Sequence, residues 1–296
     1  MKLIKHIAVL FLILTLVVSC KEKTKPSDTN TPNEIDATLA EIKLYVLDGG
    51  TVQVNQLELF AQDKNTYKGQ NAVFADAYYI IEHPKGILMW DAGLPEILVG
   101  LQEPYTDPSG AFTVSRKDSV ETQLASIGIS IDDIDFLALS HTHFDHSGHA
   151  EKIKNATWLV QEAEYDFIMS DAVKNANPDI HHAVNDLTNI KKLKGDFDVF
   201  GDGRVVIKSM PGHTSGHQVL YLDLVEHGPL LLSGDLYHMH ENRQHKRVPI
   251  FNNDVEKTLA SMEAFEAFAT EKKAKVYLQH SIEDFESMPK APKYLK

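Results

Sequence analysis

Cysteine is almost absent: the 296 residues hold one, Cys20. No intrachain disulfide can form, and any metal site must be built from His and carboxylates rather than thiolates. Basic residues are outnumbered, with 29 Lys and Arg against 42 Asp and Glu and a formal charge of −13. That balance argues against a nucleic-acid or anionic-membrane partner, and the surplus acid reads as solubility. Apart from Ile7 to Val18 there is no long apolar run, and this one is shorter than the roughly 20 residues a membrane span needs. Internal repeats and a second linker are also missing. So are His-rich tracts, which would mark a metal-scavenging lipoprotein without catalysis.

What is present begins with an address. Lys2 and Lys5 precede the apolar run, and Ser19 follows it, the pattern of a signal peptide over residues 1–19. Leu16-Val17-Val18-Ser19 ahead of Cys20 resembles the lipobox of bacterial lipoproteins, so cleavage is expected to leave a lipidated Cys20. The expected location is export, as a periplasmic or outer-membrane lipoprotein or an extracellular protein, with the N-terminal lipid the only membrane link. Removing residues 1–19 deletes two lysines and no acid, so the mature chain is more negative still. Residues 20–40 contain almost nothing apolar and cannot offset their ordering entropy, which predicts a flexible tether.

From residue 41 to 296 the pattern is that of one folded domain. Short β-rich runs occupy Ile42 to Leu47, Ala72 to Glu82, Gly86 to Trp90, Asp135 to Leu139 and Thr157 to Val160. Others follow at Arg204 to Lys208, Val219 to Leu224, Leu230 to Leu232 and Lys275 to Leu278. Helical patterns lie between them, at Ser119 to Ile127 and at Asp254 to Ala269, where Leu259, Met262, Phe265 and Phe268 share a face. The expected fold class is mixed α/β, with sheets packed face to face and helices outside.

Chemistry concentrates after the run ending at Leu139. Ser140-His141-Thr142-His143-Phe144-Asp145-His146 has the form H-x-H-x-D-H. Imidazole nitrogen and carboxylate oxygen bind zinc at about 2.0–2.2 Å, so ligands must converge closely, and a loop leaving a strand can turn four side chains inward. Three further pieces follow strands in order: Gly212-His213-Thr214-Ser215-Gly216-His217, Ser233-Gly234-Asp235 and Gln279-His280. Without sulfur, zinc is the default metal, and Mn, Co or Fe also suit N and O ligands. The remaining histidines read more plainly. His83, His181, His182, His227 and His245 are expected on the surface or in loops, and His149 and His217 as partners orienting ligands.

These motifs and their order resemble the metallo-β-lactamase superfamily over nearly the whole mature chain. The resemblance implies an αβ/βα sandwich of two mixed sheets flanked by helices, with a two-metal site on one edge. It implies that His141, His143 and His213 hold one metal, Asp145, His146 and His280 the second, and that Asp235 bridges them. Within the superfamily, Asp91-Ala92-Gly93-Leu94-Pro95-Glu96, the segment around His213, the stretch from Val248-Pro249 onward and Val276-Tyr277-Leu278-Gln279-His280 are similar to N-acyl homoserine lactone lactonases.

The implied activity is opening of the lactone ring of these quorum-sensing signals by metal-activated water, with a small-molecule lactone as the partner. Asp145 would add a proton shuttle to its ligand role. Members of that family carry a Tyr three positions after the bridging Asp, whereas here Tyr237 is at plus two and His238 at plus three. The carbonyl contact therefore falls to His238, with Tyr237 as the substitute. An acyl chain needs an apolar groove, for which Ile97, Leu98, Val99, Leu101, Phe112 and Met239 are candidates, each equally explained by core packing. The competing reading is a phosphotriesterase or another ester hydrolase using the same ligands. Nucleases of the superfamily want a basic surface, which this chain lacks.

Overall fold

The structure is a computed structural model that describes residues 41–296. The expected signal peptide over 1–19, Cys20 and the tether to residue 40 lie outside the described residues. No helix among the described residues is long and apolar enough to cross a membrane.

Among the described residues, fourteen strands form two sheets. The first contains β1 (Lys43–Val54), β2 (Ala72–His83), β3 (Gly86–Trp90), β4 (Tyr105–Thr106), β5 (Phe112–Ser115), β6 (Phe136–Ala138), β7 (Thr157–Gln161) and β8 (Ile190–Leu193). Its order is β4-β5-β1-β2-β3-β6-β7-β8. The second contains β9 (Phe197–Asp198), β10 (Val205–Ser209), β11 (Gln218–Leu224), β12 (Gly228–Leu232) and β13 (Lys275–Tyr277), in the order β13-β12-β11-β10-β9. A last strand, β14 (Tyr294–Leu295), returns to pair with β1. Among the described residues, eight α-helices lie between them: α1 (Val120–Ser126), α2 (Phe144–Ser147), α3 (Glu162–Ile168), α4 (Asp171–Ala176), α5 (Pro178–His182), α6 (His240–His245), α7 (Val255–Lys272) and α8 (Ile282–Ser287).

Strand alternation sorts the side chains into layers. Ala77, Tyr79 and Ile81 of β2 face Ile207, Leu220, Leu222 and Leu232 of the second sheet, forming the inner core. Their neighbours Tyr78 and Ile80 face outward and are covered by Val120 and Leu124 of α1 and Ile168 of α3. On the far side, Met262, Phe265 and Ala269 of α7 cover Val219, Tyr221 and Leu231. Each large side chain so buried contributes about 1.5–3 kcal/mol. The result is the expected αβ/βα sandwich. Helix α7 starts where Asp254 accepts from Lys257 N–H at 3.0 Å, and α1 where Ser119 accepts from Thr122 N–H at 3.1 Å.

The first strand runs further than its sequence suggests. Asp48-Gly49-Gly50 reads as a stop, but β1 passes through it on a register shift, with Gly50 at φ 135° and its N–H bound to Asp48 Oδ1. The strand then pairs with β5, which extends the sheet toward the cavity described below.

Candidate metal centre

Four strands deliver the expected ligands from their C-terminal ends. His141, His143, Asp145 and His146 follow β6, His213 follows β10, Asp235 follows β12 and His280 follows β13. They converge as two groups, His141, His143, His213 and Asp235 in one and Asp145, His146 and His280 in the other. In the first, His141 Nε2 lies 2.8 Å from His143 Nδ1, and His213 Nε2 is 3.2 Å from the same atom. In the second, His280 Nε2 lies 3.3 Å from His146 Nε2.

The Asp235 carboxylate stands between the groups. Oδ2 is 3.6 Å from His141 Nε2 and 3.4 Å from His213 Nε2, while Oδ1 is 3.1 Å from His146 Nε2 and 2.9 Å from His280 Nε2. One oxygen serves each group. Asp145 lies 3.9 Å from His146 Nε2 and 3.8 Å from His280 Nε2.

The donor set fits two zinc-type cations. Nitrogen atoms aimed at one another at about 3 Å have the spacing of neighbouring ligands on one tetrahedral ion. In the second group the opposite ring atoms are engaged so that the inward ones are free. Nδ1–H of His280 donates to Ala75 O at 2.9 Å, and Nδ1–H of His146 donates to Asp91 Oδ2 at 3.1 Å, leaving each Nε2 for a metal. Burial drives His141 and His213 well below the usual imidazole range, so they stay neutral. For His146 burial acts in the same direction but is outweighed by Asp235, Asp91 and Asp145, and its pKa rises. Burial would raise the Asp235 carboxyl, yet the surrounding His280, His146, His238 and His141 hold it well below the carboxylate range. It is an anion among imidazoles.

Buried polar groups hold the loops in place. Asp91, at φ 60°, accepts from Ser140 N–H at 2.5 Å and from Gln279 Nε2 at 2.7 Å as well as from His146. Glu164 of α3 accepts from Thr142 N–H at 3.0 Å and from Gly216 N–H at 2.9 Å, tying the first ligand loop to the loop after His213. Glu164 was not foreseen, since an acid on a short helix gives no sequence signal of this role. His217 performs the orienting role expected of it. Nδ1–H donates to Met210 O at 3.0 Å, while Nε2 accepts from Asp235 N–H at 3.0 Å. Burial lowers its pKa to about 4, which suits an acceptor.

Other expectations need correction. Tyr237 does not reach the centre: its hydroxyl donates to Glu266 on α7 at 3.0 Å, and its ring packs edge-on against Phe265. His238 does reach it, with Nε2 3.0 Å from Asp235 Oδ2 and its ring stacked on His280. His83 is buried rather than superficial, bound to Asp202 at 2.9 Å and stacked on Phe200. His149 lies between Glu96 and Glu121 instead of beside a ligand.

Next to the centre opens an apolar cavity of about 1040 Å³. Ile97, Leu98, Leu101 and Phe112 line it as expected, joined by Tyr105 and by Phe144, which sits between ligands His143 and Asp145 in the chain. Val99 is not part of this wall, and Met239 packs beside Phe60 and Phe74 in a neighbouring cluster.

Residues 72–280, spanning every expected ligand, match the family model of the metallo-beta-lactamase superfamily. The chain belongs to that superfamily. Among its relatives, the N-acyl homoserine lactonase AttM of Azorhizobium caulinodans is 27% identical over 273 residues, covering 86% of this chain and 99% of the relative. An N-acyl homoserine lactonase of a Bacillus species is 28% identical over 224 residues, covering 73% and 85%. Among solved structures, an N-acyl homoserine lactone hydrolase with N-hexanoyl-L-homoserine bound at its catalytic metal centre superposes with a TM-score of 0.75. That comparison covers 86% of this chain and 99% of the other at 24% identity. The dizinc lactonase AidC superposes at 0.62 with 19% identity, covering 81% and 88%, and both likenesses concern the fold.

Proposed function

We propose that this protein hydrolyses N-acyl homoserine lactones to the ring-opened N-acyl homoserines. The observation that carries the reading is the juxtaposition of a carboxylate-bridged pair of ligand groups with a large apolar cavity walled by Phe144. Curated relatives named as N-acyl homoserine lactonases, which this chain spans over 85–99% of their length, support the same substrate. Two divalent cations, zinc by ligand type with Mn, Co or Fe also compatible, would supply Lewis acidity and a water acidic enough to react near neutral pH.

The chain's own groups do the rest. The cavity takes the acyl chain and so directs the lactone head to the ligand pair, and its apolar wall excludes competing water. Water oxygen bonds to the lactone carbonyl carbon and the bond from that carbon to the ring oxygen breaks. Asp145, with a side chain 15% exposed, takes a proton from the attacking water and returns it to the departing ring oxygen. His238 presents Nε2 to the centre and is assigned the hydrogen bond to the carbonyl oxygen as charge develops on it.

The test is turnover of metal-loaded protein on acyl homoserine lactones of several chain lengths, beside a phosphotriester, a β-lactam and a thioester. Lactone opening is expected, with His238→Ala lowering kcat about 10- to 1,000-fold at unchanged metal content. Phosphotriester cleavage without lactone opening would overturn the substrate and leave a two-metal hydrolase. We also propose export and lipidation at Cys20, on the strength of residues 1–20. Cys20→Ser should abolish lipid labelling, and labelling that persists would refute the anchor.

A further inference from the structure

The cavity beside the metal centre has apolar walls and an unbalanced charge. Asp107, Glu151 and Asp179 all line it, whereas no Lys or Arg among the described residues does, and His182 is its one basic lining residue. Glu151 ends a row that begins among the metal ligands. Phe144, Ser147, Gly148 and Glu151 recur every three or four positions and line the same cavity. Asp179 is exposed on α5, and Asp107 is partly covered ahead of β5.

The negative charge is not neutralised nearby. Lys152 and Lys154 follow Glu151 in the chain, but Lys152 Nζ lies 3.8 Å from Glu96 and Lys154 Nζ 3.0 Å from Asp186. Among the described residues, no ion pair engages Asp107, Glu151 or Asp179. Asp107 accepts from Phe112 N–H at 2.7 Å and Ser109 N–H at 2.9 Å, neutral donors that leave its charge in place. Burial acts to raise both Asp107 and Glu151. At Asp107 the donors outweigh it and hold the carboxyl below the usual range, while Glu151 is raised.

We propose that Asp107, Glu151 and Asp179 make the cavity a charge filter that admits neutral or cationic acyl chains and turns away chains bearing a carboxylate or another anion. This rests on lactone opening for the head of the substrate, whereas the charge preference belongs to the cavity itself. An uncharged alkyl chain meets the apolar wall of Ile97, Leu98 and Phe112. An anionic chain loses hydration there and is repelled by three carboxylates. Desolvation disfavours either sign of charge, so preference for a cation over an anion is the signature of the three acids.

The experiment compares kcat/KM of the metal-loaded protein on acyl homoserine lactones of one chain length ending in a methyl, a primary amide, a carboxylate or an ammonium group. It is run at about pH 8, where carboxyl groups are ionised. In low salt the carboxylate chain should fall about 10- to 100-fold below the amide chain and well below the ammonium chain. Glu151→Gln combined with Asp179→Asn should bring the carboxylate-to-amide ratio several-fold closer to one. About 1 M salt, where the Debye length is roughly 3 Å, should do the same to the wild type. If even the methyl-ended lactone stays closed, the lactone reading fails. The filter is then read from displacement of an apolar fluorescent dye by decyl glucoside, decyl sulfate and decyltrimethylammonium below their micelle concentrations, with the sulfate expected to be weakest. A carboxylate chain opened as well as the ammonium chain, discrimination that neither the variant nor salt reduces, or equal displacement by the sulfate and the ammonium would overturn the filter.

Discussion

Asp91→Asn tests whether the metal centre depends on the groups behind its ligands. All three partners of this fully buried carboxylate are donors: Ser140 N–H at 2.5 Å, His146 Nδ1–H at 3.1 Å and Gln279 Nε2 at 2.7 Å. An amide of the same shape must turn its NH2 toward one of them, so one hydrogen bond becomes a donor facing a donor. The other two lose the charge on the acceptor. With charge-assisted bonds contributing about 1.5–3 kcal/mol each, a net loss of about 3 kcal/mol is expected. For a domain of this size that is a fall in Tm of about 6–12 °C. Release of His146 from its orienting partner should also weaken metal binding about 10- to 100-fold. Calorimetry gives the first quantity and competition with a chelator the second. Folded Asp91→Asn protein that holds metal as tightly as the wild type would show that Asp91 supports the fold without tuning the centre.

Gly148→Ala should be poorly tolerated. A Cβ there falls 2.3 Å from Pro95 N and 2.5 Å from Gly93 O, both backbone atoms, so a loss of about 3 kcal/mol with reduced metal content is expected by calorimetry and elemental analysis. Tyr237→Phe removes a hydroxyl bound to Glu266 and should cost about 1 kcal/mol in denaturant unfolding at unchanged turnover. A loss of activity matching that of His238→Ala would return Tyr237 to the site. Phe265→Ala empties a fully buried position under α7 and should cost about 3–5 kcal/mol, measured the same way.

Much of the architecture is visible in the alternation of apolar residues. Gly86–Trp90 forms a strand over the span its sequence marks, and Met262 with Phe265 faces the second sheet as the α7 pattern requires. Segments with weak local signals are less legible. Phe112–Ser115 becomes a strand by pairing with Thr51–Val54 some sixty positions earlier, and a four-residue window does not contain that partner. The short helices α3 to α5 are held by tertiary packing, with Ile168 and Val173 inserted into the outer core. The passage of β1 through Asp48-Gly49-Gly50 likewise depends on Asp76, Ala77 and the rest of β2 alongside it.

The contrast within the site has a chemical origin. Few residue types bind a zinc-type metal, so His141, His143, Asp145, His146, His213, Asp235 and His280 announce themselves by identity and order. A supporting group needs only an acceptor near a donor, and Glu164 resembles any acid on a helix until Thr142 and Gly216 arrive beside it. Tyr237 and His238 fall between these cases, because either can donate to a carbonyl. Backbone geometry decides: Tyr237 is extended at φ −143°, ψ 130°, and neighbouring side chains on extended backbone point to opposite sides. Phe265 and Glu266 take the tyrosine, which leaves the histidine facing Asp235. A one-residue insertion between Asp235 and Tyr237 is therefore expected to turn the tyrosine toward Asp235 in place of the histidine, because it moves Tyr237 to the plus-three position that His238 now holds.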